Sequence, residues 1–174
     1  FILADLSDND VALIYFDNKL TDILPPSYRR AYWKGFKEVR GDVIDVVKNP
    51  EIPEALAQNL LSLEKSDHHA TIHTVREYEK LLVYSNGKLL KTADEGIIGF
   101  WKYNANFAFK HFDLRLQTVE VSGQEILTQD KVTLRINLSA DYKITDVLKV
   151  TKELNDYKEF IYKELQFALR DAVG

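Results

Sequence analysis

Apolar and polar side chains alternate strictly near the end of the chain, from Val132 to Lys143. The apolar and aromatic positions are Val132, Leu134, Ile136, Leu138, Ala140 and Tyr142. Successive side chains of a β-strand point to opposite faces, so this period predicts a long strand with one buried and one solvated face. A sheet that is covered on one side only is typically antiparallel, and we expect that arrangement here.

After this strand the spacing of apolar residues becomes helical. Thr145-Asp146 and Asn155-Asp156 are each suited to cap a helix N-terminus, which predicts helices from Val147 to about Leu154 and from Tyr157 to about Val173. The apolar stripe expected on the second helix comprises Tyr157, Phe160, Ile161, Leu165, Phe167, Ala168 and Ala172.

The first half of the chain has shorter elements. Residues 11–16 and 43–47 are apolar, β-branched runs that end in polar turn residues, and each run predicts a strand. Residues 53–63 begin with proline and have leucines at helical spacing, which predicts a short amphipathic helix. Asn86-Gly87 between apolar runs predicts a hairpin. The expected class is therefore α+β with antiparallel strands.

A weak internal repeat relates the two halves. Residues 13–20 resemble residues 82–89 at an offset of 69, and Tyr32-Trp33-Lys34 resembles Phe100-Trp101-Lys102 at 68. Ile44-Asp45-Val46 resembles Val119-Glu120-Val121 at 75. Two interpretations remain open: a degenerate duplication of a strand block, or the composition that β-hairpins share.

The overall composition excludes several classes of function. The net charge is −4, which disfavours a nucleic-acid partner because phosphate binding needs a clustered excess of Lys and Arg. Cysteine is absent, so disulfides, thiolate nucleophiles and cysteine-based metal sites are excluded. Methionine is also absent and the chain starts at Phe1, so we expect a fragment of a longer protein.

Four segments of the second half together resemble one protein family. They are residues 77–89 with the predicted hairpin, Asp113-Leu114-Arg115, residues 124–134, and the ending from Leu169 to Gly174. The third is the most specific, with the sequence Gln-Glu-Ile-Leu-Thr-Gln-Asp-Lys-Val-Thr-Leu. In combination they are similar to the stomatin or slipin branch of the SPFH (Band 7, prohibitin-homology) family.

The resemblance implies a fold and a division of the chain. Residues 77–174 are expected to form an antiparallel, strand-rich SPFH domain with C-terminal helices. Residues 1–76 are expected to form a smaller strand-rich module with the helix 53–63, as a degenerate copy of the SPFH strand block if the repeat is a duplication. Residues 94–101 take the place of a family loop rich in glycine and proline that faces the membrane, but they contain no proline.

The resemblance also implies a non-catalytic, membrane-associated scaffold that oligomerises and organises lipids or partner membrane proteins. The alternative is an accessory subunit of a membrane protease, as in prohibitin-like or NfeD-linked relatives. The implied partners are membrane lipids, further copies of the chain, and an NfeD-like membrane protein or a membrane protease. The implied location is a bacterial cell membrane, reached through a segment absent from this sequence. No cofactor is implied.

Histidines 68, 69 and 73 are the one cluster that suggests a metal. A zinc site needs about three such ligands. Residues 71–75 are β-rich, and on a strand His69 and His73 lie about 13 Å apart. The sequence therefore favours a solvated loop over a metal site, and it contains no nucleophile or triad pattern that would indicate an enzyme.

Residues 28–40 combine five basic residues with four aromatic ones and a single acidic residue. One interpretation is a lipid interface, since aromatic rings lie at headgroup level and basic side chains are attracted to anionic lipid. The other is a strand pair with core aromatics, whose basic residues are solvated or paired with Asp42 and Asp45. The candidate lipid-contact residues are Arg29, Arg30, Tyr32, Trp33, Lys34, Lys37, Phe100 and Trp101.

Overall fold

A computed structural model describes residues 2–33, 35 and 38–173, with side chains from Ala4 onward. The chain divides into two compact units, Phe1–His111 and Phe112–Gly174. Strands dominate the described residues and the last two of their three α-helices lie near the C-terminus, so the α+β class predicted from the sequence is confirmed. The domain boundary predicted between residues 76 and 77 falls inside the first unit. The division of the chain into a module of residues 1–76 and a family domain of residues 77–174 stays a prediction.

The first unit begins with five short strands. They are β1 (Ile2–Asp5), β2 (Asp10–Phe16), β3 (Lys19–Leu24), β4 (Arg29–Tyr32) and β5 (Val39–Asp45). β2 is the central strand of an antiparallel sheet with the order β3-β2-β5, and β1 pairs with β4. The strand predicted at 43–47 is therefore placed a few residues too late.

A linker with one helix follows β5. Strand β6 (Glu51–Ile52) precedes helix α1 (Glu54–Leu61), and Pro53 stands immediately before the helix, where its fixed φ is compatible with a helix start. The helix predicted at 53–63 is confirmed, and it buries Ala57 and Leu60 completely. A single 3₁₀ turn, Ser66–His68, leads on to the next strand.

Five further strands follow, and the last of them crosses the boundary of the first unit after His111. They are β7 (Ala70–Val75), β8 (Glu79–Ser85), β9 (Lys88–Ala93), β10 (Gly96–Trp101) and β11 (Phe107–Asp113). Two sheets result, with the orders β6-β10-β7 and β11-β8-β9. The glycine-containing segment expected to be a loop at 94–101 is thus mostly strand β10, because it pairs with β7 along its whole length.

The β2–β3 and β8–β9 hairpins of the first unit both turn through residues with positive φ. Asn86 and Gly87 have φ values of 49° and 80° between β8 and β9, as their sequence predicts. Asp17 and Asn18 make the same kind of turn between β2 and β3, with φ values of 50° and 63°. Asp and Asn tolerate this left-handed conformation better than most residues, so the second turn is also chemically reasonable.

Two consecutive residues of β10 join separate parts of the core. Phe100 packs with Val75, Leu81 and Val83, whereas Trp101 lies in a cluster with Val11 and other residues of the first strands and α1. Neighbouring side chains of a strand point to opposite faces, which is why one dipeptide serves both clusters. Each of the two rings is only 1% exposed.

The second unit is built on a long two-stranded ribbon. β12 (Gln117–Leu127) pairs antiparallel with β13 (Thr133–Tyr142), which confirms the strand predicted from the alternating sequence. Half-burial alternates with exposure along β13 only from Ile136 to Tyr142. Val132 and Leu134, expected to be buried, are 52% and 40% exposed because they lie at the hairpin end of the ribbon.

Two helices follow the ribbon within the second unit. They are α2 (Val147–Glu153) and α3 (Tyr157–Val173). Asp146 Oδ1 accepts a hydrogen bond from the Lys149 amide (3.0 Å) and Asp156 Oδ1 from the amides of Lys158 (2.9 Å) and Glu159 (3.1 Å), so both predicted caps are confirmed.

The buried face of α3 is narrower than its sequence suggests. Leu169 is the buried residue of this helix, and Tyr157, Ile161 and Leu165 are half-buried one turn apart before it. Phe160 and Phe167 were expected to widen this stripe, but they are 46% and 57% exposed. A ribbon of two strands offers a narrow surface, and a helix packed on it covers only its central line of side chains.

The two tryptophans provide a matched test of this core. Changing Trp101 to Ala should cost about 3–5 kcal/mol of unfolding free energy, because it leaves a cavity between strands and helix. Changing Trp33, which is 81% exposed, to Ala should change it by no more than about 0.5 kcal/mol. Urea unfolding followed by circular dichroism measures both, and equal losses would contradict the assignment of Trp101 to the core.

Candidate functional site

The first part of the predicted basic and aromatic segment forms β4, and Val39 and Arg40 at its end belong to β5. Arg29 forms an ion pair with Asp5 across the β1–β4 ladder at 3.7 Å, and Arg30 Nη1 donates to Asp22 Oδ2 at 2.9 Å. The side chains of Arg29 and Arg30 remain 68% and 50% exposed. Exposed ion pairs of this kind contribute little to stability, so both guanidinium groups remain accessible for other contacts.

The aromatic residues of this segment divide between core and surface. Tyr32 is 7% exposed and meets the ring of Phe16 edge to face at a centroid distance of 6.0 Å. Burial, together with the carboxylate of Asp22, raises the pKa of Tyr32 to about 12. Trp33 is 81% exposed. Trp33 is thus a surface residue, whereas Tyr32 belongs to the core and is removed from the candidate lipid contacts.

Two further candidates are wrong for the same reason. Phe100 and Trp101 are each 1% exposed inside the first unit, and they cannot contact a lipid surface in this fold. Their sequence resembles that of the exposed segment, but strand pairing with β7 and β6 turns both rings inward. Lys34 and Lys37 lie outside the described residues.

The acidic partners of the basic segment, which includes Arg40, are only partly those expected. Asp42 pairs with Arg40 at 3.2 Å, and Asp45 accepts from the amides of Val47 and Lys48 and pairs with the Lys48 side chain. Arg29 and Arg30 instead use Asp5 and Asp22. Asp5 comes from β1, which pairs with β4, and Asp22 comes from β3, which belongs to a different sheet.

The histidines form a pair that the sequence does not predict. His73 on β7 and His111 on β11 approach to 3.0 Å between Nδ1 and Nε2, so one ring donates a hydrogen bond to the other. The His73 ring also lies 4.2 Å from that of Phe109, and its Nε2 atom is buried without a hydrogen-bond partner among the described residues. The two residues are 38 apart in sequence, and no local pattern connects them.

The remaining histidines of the predicted cluster are separate from this pair. His69 Nδ1 lies 2.6 Å from the hydroxyl of Tyr103, and His68 is exposed. No group of three or more potential metal ligands occurs among the residues that the structure describes.

The electrostatics of the histidine pair follow from its position. Burial lowers the pKa of His73, and the nearby ring of His111 lowers it further, because two imidazolium ions at this distance repel each other. Burial also lowers the pKa of His69. The fold therefore favours a neutral His73.

The Asp-Leu-Arg motif has a clear structural role in the second unit. The guanidinium of Arg115 donates to both carboxylate oxygens of Asp113, at 3.0 and 3.1 Å from Nε and 2.5 Å from Nη2, and the Arg115 amide adds a bond of 2.9 Å. These bonds lower the pKa of Asp113 to about 2. The motif thus holds the turn between β11 and β12 and is not arranged for a reaction.

The described helices do not include one that is both long and apolar enough to cross a bilayer. Among the exposed large apolar residues of the described part of the chain, Trp33 is the most exposed, at 81%.

Comparison with known proteins identifies relatives of one part of the chain. The family model described as SPFH domain / Band 7 family matches residues 73–174. An uncharacterized protein of Archaeoglobus fulgidus is 29% identical over 105 residues, covering 60% of this chain and 41% of that protein. A stomatin homolog of Pyrococcus horikoshii is 25% identical over 105 residues (60% and 39%), and human stomatin-like protein 3 is 27% identical over 100 residues (58% and 34%). The chain thus spans about two fifths or less of these relatives.

The histidine pair predicts a loss of stability on mild acidification. Because the pKa of His73 is lower in the folded chain than its ordinary value of 6.5, the unfolded chain binds more protons below that pH. The stability that the neutral His73 contributes is complete above pH 6.5. It is lost as the pH falls toward the lower pKa that His73 has in the folded chain. Urea midpoints between pH 7.5 and 5.5 should fall for the wild type and fall less for His73→Phe. The matched control, His68→Gln at an exposed position, should keep the wild-type slope.

Proposed function

Because the chain belongs to the SPFH domain / Band 7 family, we propose that it is a non-catalytic scaffold that works at a membrane, where it oligomerises and organises lipids or partner membrane proteins. Proteins of this family are generally membrane-associated scaffolds. The match of residues 73–174 to the family model is the single observation that carries the proposal.

A surface of suitable chemistry for lipid contact lies in the part of the chain that the family model does not match. Arg29, Arg30 and Trp33 lie together at the end of β4, and all three are exposed. A tryptophan ring is favourable at the level of lipid headgroups, and each arginine adds about 1 kcal/mol of attraction to an anionic membrane surface. The sequence continues with Lys34 and Lys37, which add positive charge to the same segment.

Oligomerisation is supported by apolar surface in the second unit. Phe160 and Phe167 are two helical turns apart on α3 and are both about half exposed. Residues at this spacing lie on one face of a helix, where they are suited to packing against another copy. Co-purification of the full-length protein from native membranes tests for the proposed partner proteins, including an NfeD-like membrane protein or a membrane protease.

Removing the two arginines should weaken binding to anionic vesicles. In Arg29→Gln/Arg30→Gln the loss of about 2 kcal/mol corresponds to an about 30-fold weaker partition onto vesicles of phosphatidylserine and phosphatidylcholine. Co-sedimentation at low and high salt measures the partition, and salt should weaken the wild type more than the variant.

The control for this experiment removes two positive charges elsewhere. Lys88 and Lys110 are exposed on β9 and β11, and Lys88→Gln/Lys110→Gln has the same net charge as the arginine variant. It should bind vesicles like the wild type apart from a small effect of overall charge. If both double variants bind equally, or the wild type does not sediment with anionic vesicles, β4 is not the lipid-contact surface.

A further inference from the structure

The first unit contains two series of five strands in the same order, and three of the five pairs have equal lengths: β2 and β8, β3 and β9, and β5 and β11. A shift of 69 in residue number moves β2 (Asp10–Phe16) onto β8 (Glu79–Ser85) and β3 onto β9, end for end. A shift of 68 does the same for β5 (Val39–Asp45) and β11 (Phe107–Asp113). Counted between corresponding residues, the connection between β9 and β10 is therefore one residue shorter than that between β3 and β4, and with this difference the whole series aligns. The segment Val119–Val121, which resembles Ile44-Asp45-Val46 in sequence, belongs to neither series.

The pairing between strands is shared as well. β1 pairs with β4 so that Ile2 is opposite Tyr32, and the same shifts predict Thr71 opposite Phe100, as is observed between β7 and β10. The register irregularity of the first hairpin lies between Ile14 and Tyr15, and that of the second lies at the corresponding residues, Val83 and Tyr84.

Long-range hydrogen bonds repeat at corresponding atoms. The Asp17 amide donates to the Glu38 carbonyl (2.9 Å), and the Glu38 amide donates to the Asp17 carboxylate (3.0 Å). At the corresponding positions the Asn86 amide donates to the Asn106 carbonyl (2.9 Å), and the Asn106 amide donates to the Asn86 side-chain oxygen (3.1 Å). Shared hairpin composition explains a similar turn, but it does not explain the same bonds to a residue about twenty positions away.

The two cores use the same positions. The first cluster contains Leu6, Ala12, Ile14, Leu24, Tyr32 and Val39. The corresponding residues of the second are Val75, Leu81, Val83, Ala93, Phe100 and the partly buried Phe107. Ala12 is opposite Leu24 across the first hairpin, whereas Leu81 is opposite Ala93 across the second. The small and large residues have changed strands while the volume of the pair is kept, as packing at fixed volume requires.

We propose that β1–β5 and β7–β11 are two copies of one five-stranded module, and that the edge of β4 without a strand partner among the described residues is a docking surface for an anionic membrane. The second part rests on the proposed function. The first part does not, since it follows from register, hydrogen bonds and core positions alone.

The docking surface is identified by its counterpart in the second copy. β10 has β7 on one edge and β6 on the other, and a Cβ atom on Gly99 would lie 3.2 Å from that of Ile52 and 3.4 Å from that of Ala57. The corresponding β4 pairs only with β1 among the described residues, and Ala31, the counterpart of Gly99, is exposed. In the second copy this edge is therefore covered by β6, which pairs with β10, and by α1, which packs against it. The corresponding edge in the first copy has no strand partner within the described part of the chain and is open to a different neighbour.

The chemistry of the two edges indicates different neighbours. Ile97 and Ile98 of the second copy are half-buried, and Arg29 and Arg30 occupy their places in the first. Trp101 is 1% exposed, and its counterpart Trp33 is 81% exposed. Guanidinium groups beside an exposed indole favour an anionic, interfacial neighbour over the apolar helix that covers the second copy.

The duplication is tested in the core of the first copy. Ala12→Leu and Leu24→Ala should each lower the thermal midpoint, and the double variant, which reproduces the pairing of the second copy, should recover at least half of the summed loss. Simple addition of the two losses would overturn the duplication. If either single variant does not fold, the milder changes Ala12→Val and Leu24→Val replace them. Their double variant should likewise recover at least half of the summed loss in thermal midpoint.

The docking surface is tested with a dye, because the chain has no cysteine of its own. Ala31→Cys labelled with acrylodan should show a blue shift on addition of phosphatidylserine-containing vesicles and none with phosphatidylcholine alone. The control, Thr92→Cys at an exposed position of the second copy, should show no shift with either.

The outcomes separate the two claims. A shift at neither label while the protein still co-sediments with the vesicles overturns the docking surface and leaves the proposed function standing. Failure to co-sediment overturns the proposed function and the docking surface together, and the duplication is then judged by the core variants alone. Equal shifts at both labels, or with both kinds of vesicle, also overturn the docking surface.

Discussion

The burial of Phe100 and Trp101 on opposite faces of β10 is the constraint on which the first unit depends. One ring completes the core of β7–β11, and the other completes the cluster formed by the first strands and α1. Two adjacent large rings can be buried together only in a strand with packed layers on both sides. Helix α1 and strand β6 are needed for that reason, and Gly99 lets them approach the backbone closely.

The features that the sequence predicts are those set by near neighbours in the chain. The alternation along β13, the Asn86-Gly87 turn and the caps at Asp146 and Asp156 involve residues within a few positions of one another, and the structure contains all of them. The errors concern partners distant in sequence. Nothing near Trp101 shows that β6 and α1 will cover it, and no local pattern links His73 with His111. The candidate surface was therefore only partly predictable, because exposure is decided by such pairings.

Comparison of the two strand series separates structural from variable positions. Tyr32 and Phe100 occupy corresponding places and are both buried, so an aromatic ring is required there by packing. Arg29 and Arg30 correspond to Ile97 and Ile98, where packing differs because one edge is covered and the other is not. A change from isoleucine to arginine is tolerated only where the side chain reaches water or a polar surface. These positions, which differ between the two series, thus lie on β4 and β10, the strands whose outer edges have different neighbours.

The same comparison shows that the His73–His111 pair occurs in only one of the two strand series. His73 and His111 correspond to Ala4 and Val43, so both members of the pair are apolar in the first series and both are imidazoles in the second. A single histidine against an apolar partner would leave a second ring nitrogen without a hydrogen bond, at a cost of about 1–3 kcal/mol where it is buried. The two rings are therefore compatible with the fold as a pair. Burial and the neighbouring His111 ring, 3.0 Å away, both lower the pKa of His73. We therefore expect the link between the sheets containing β7 and β11 to weaken when His73 is protonated, whereas Ala4 and Val43 have no group to titrate at these places.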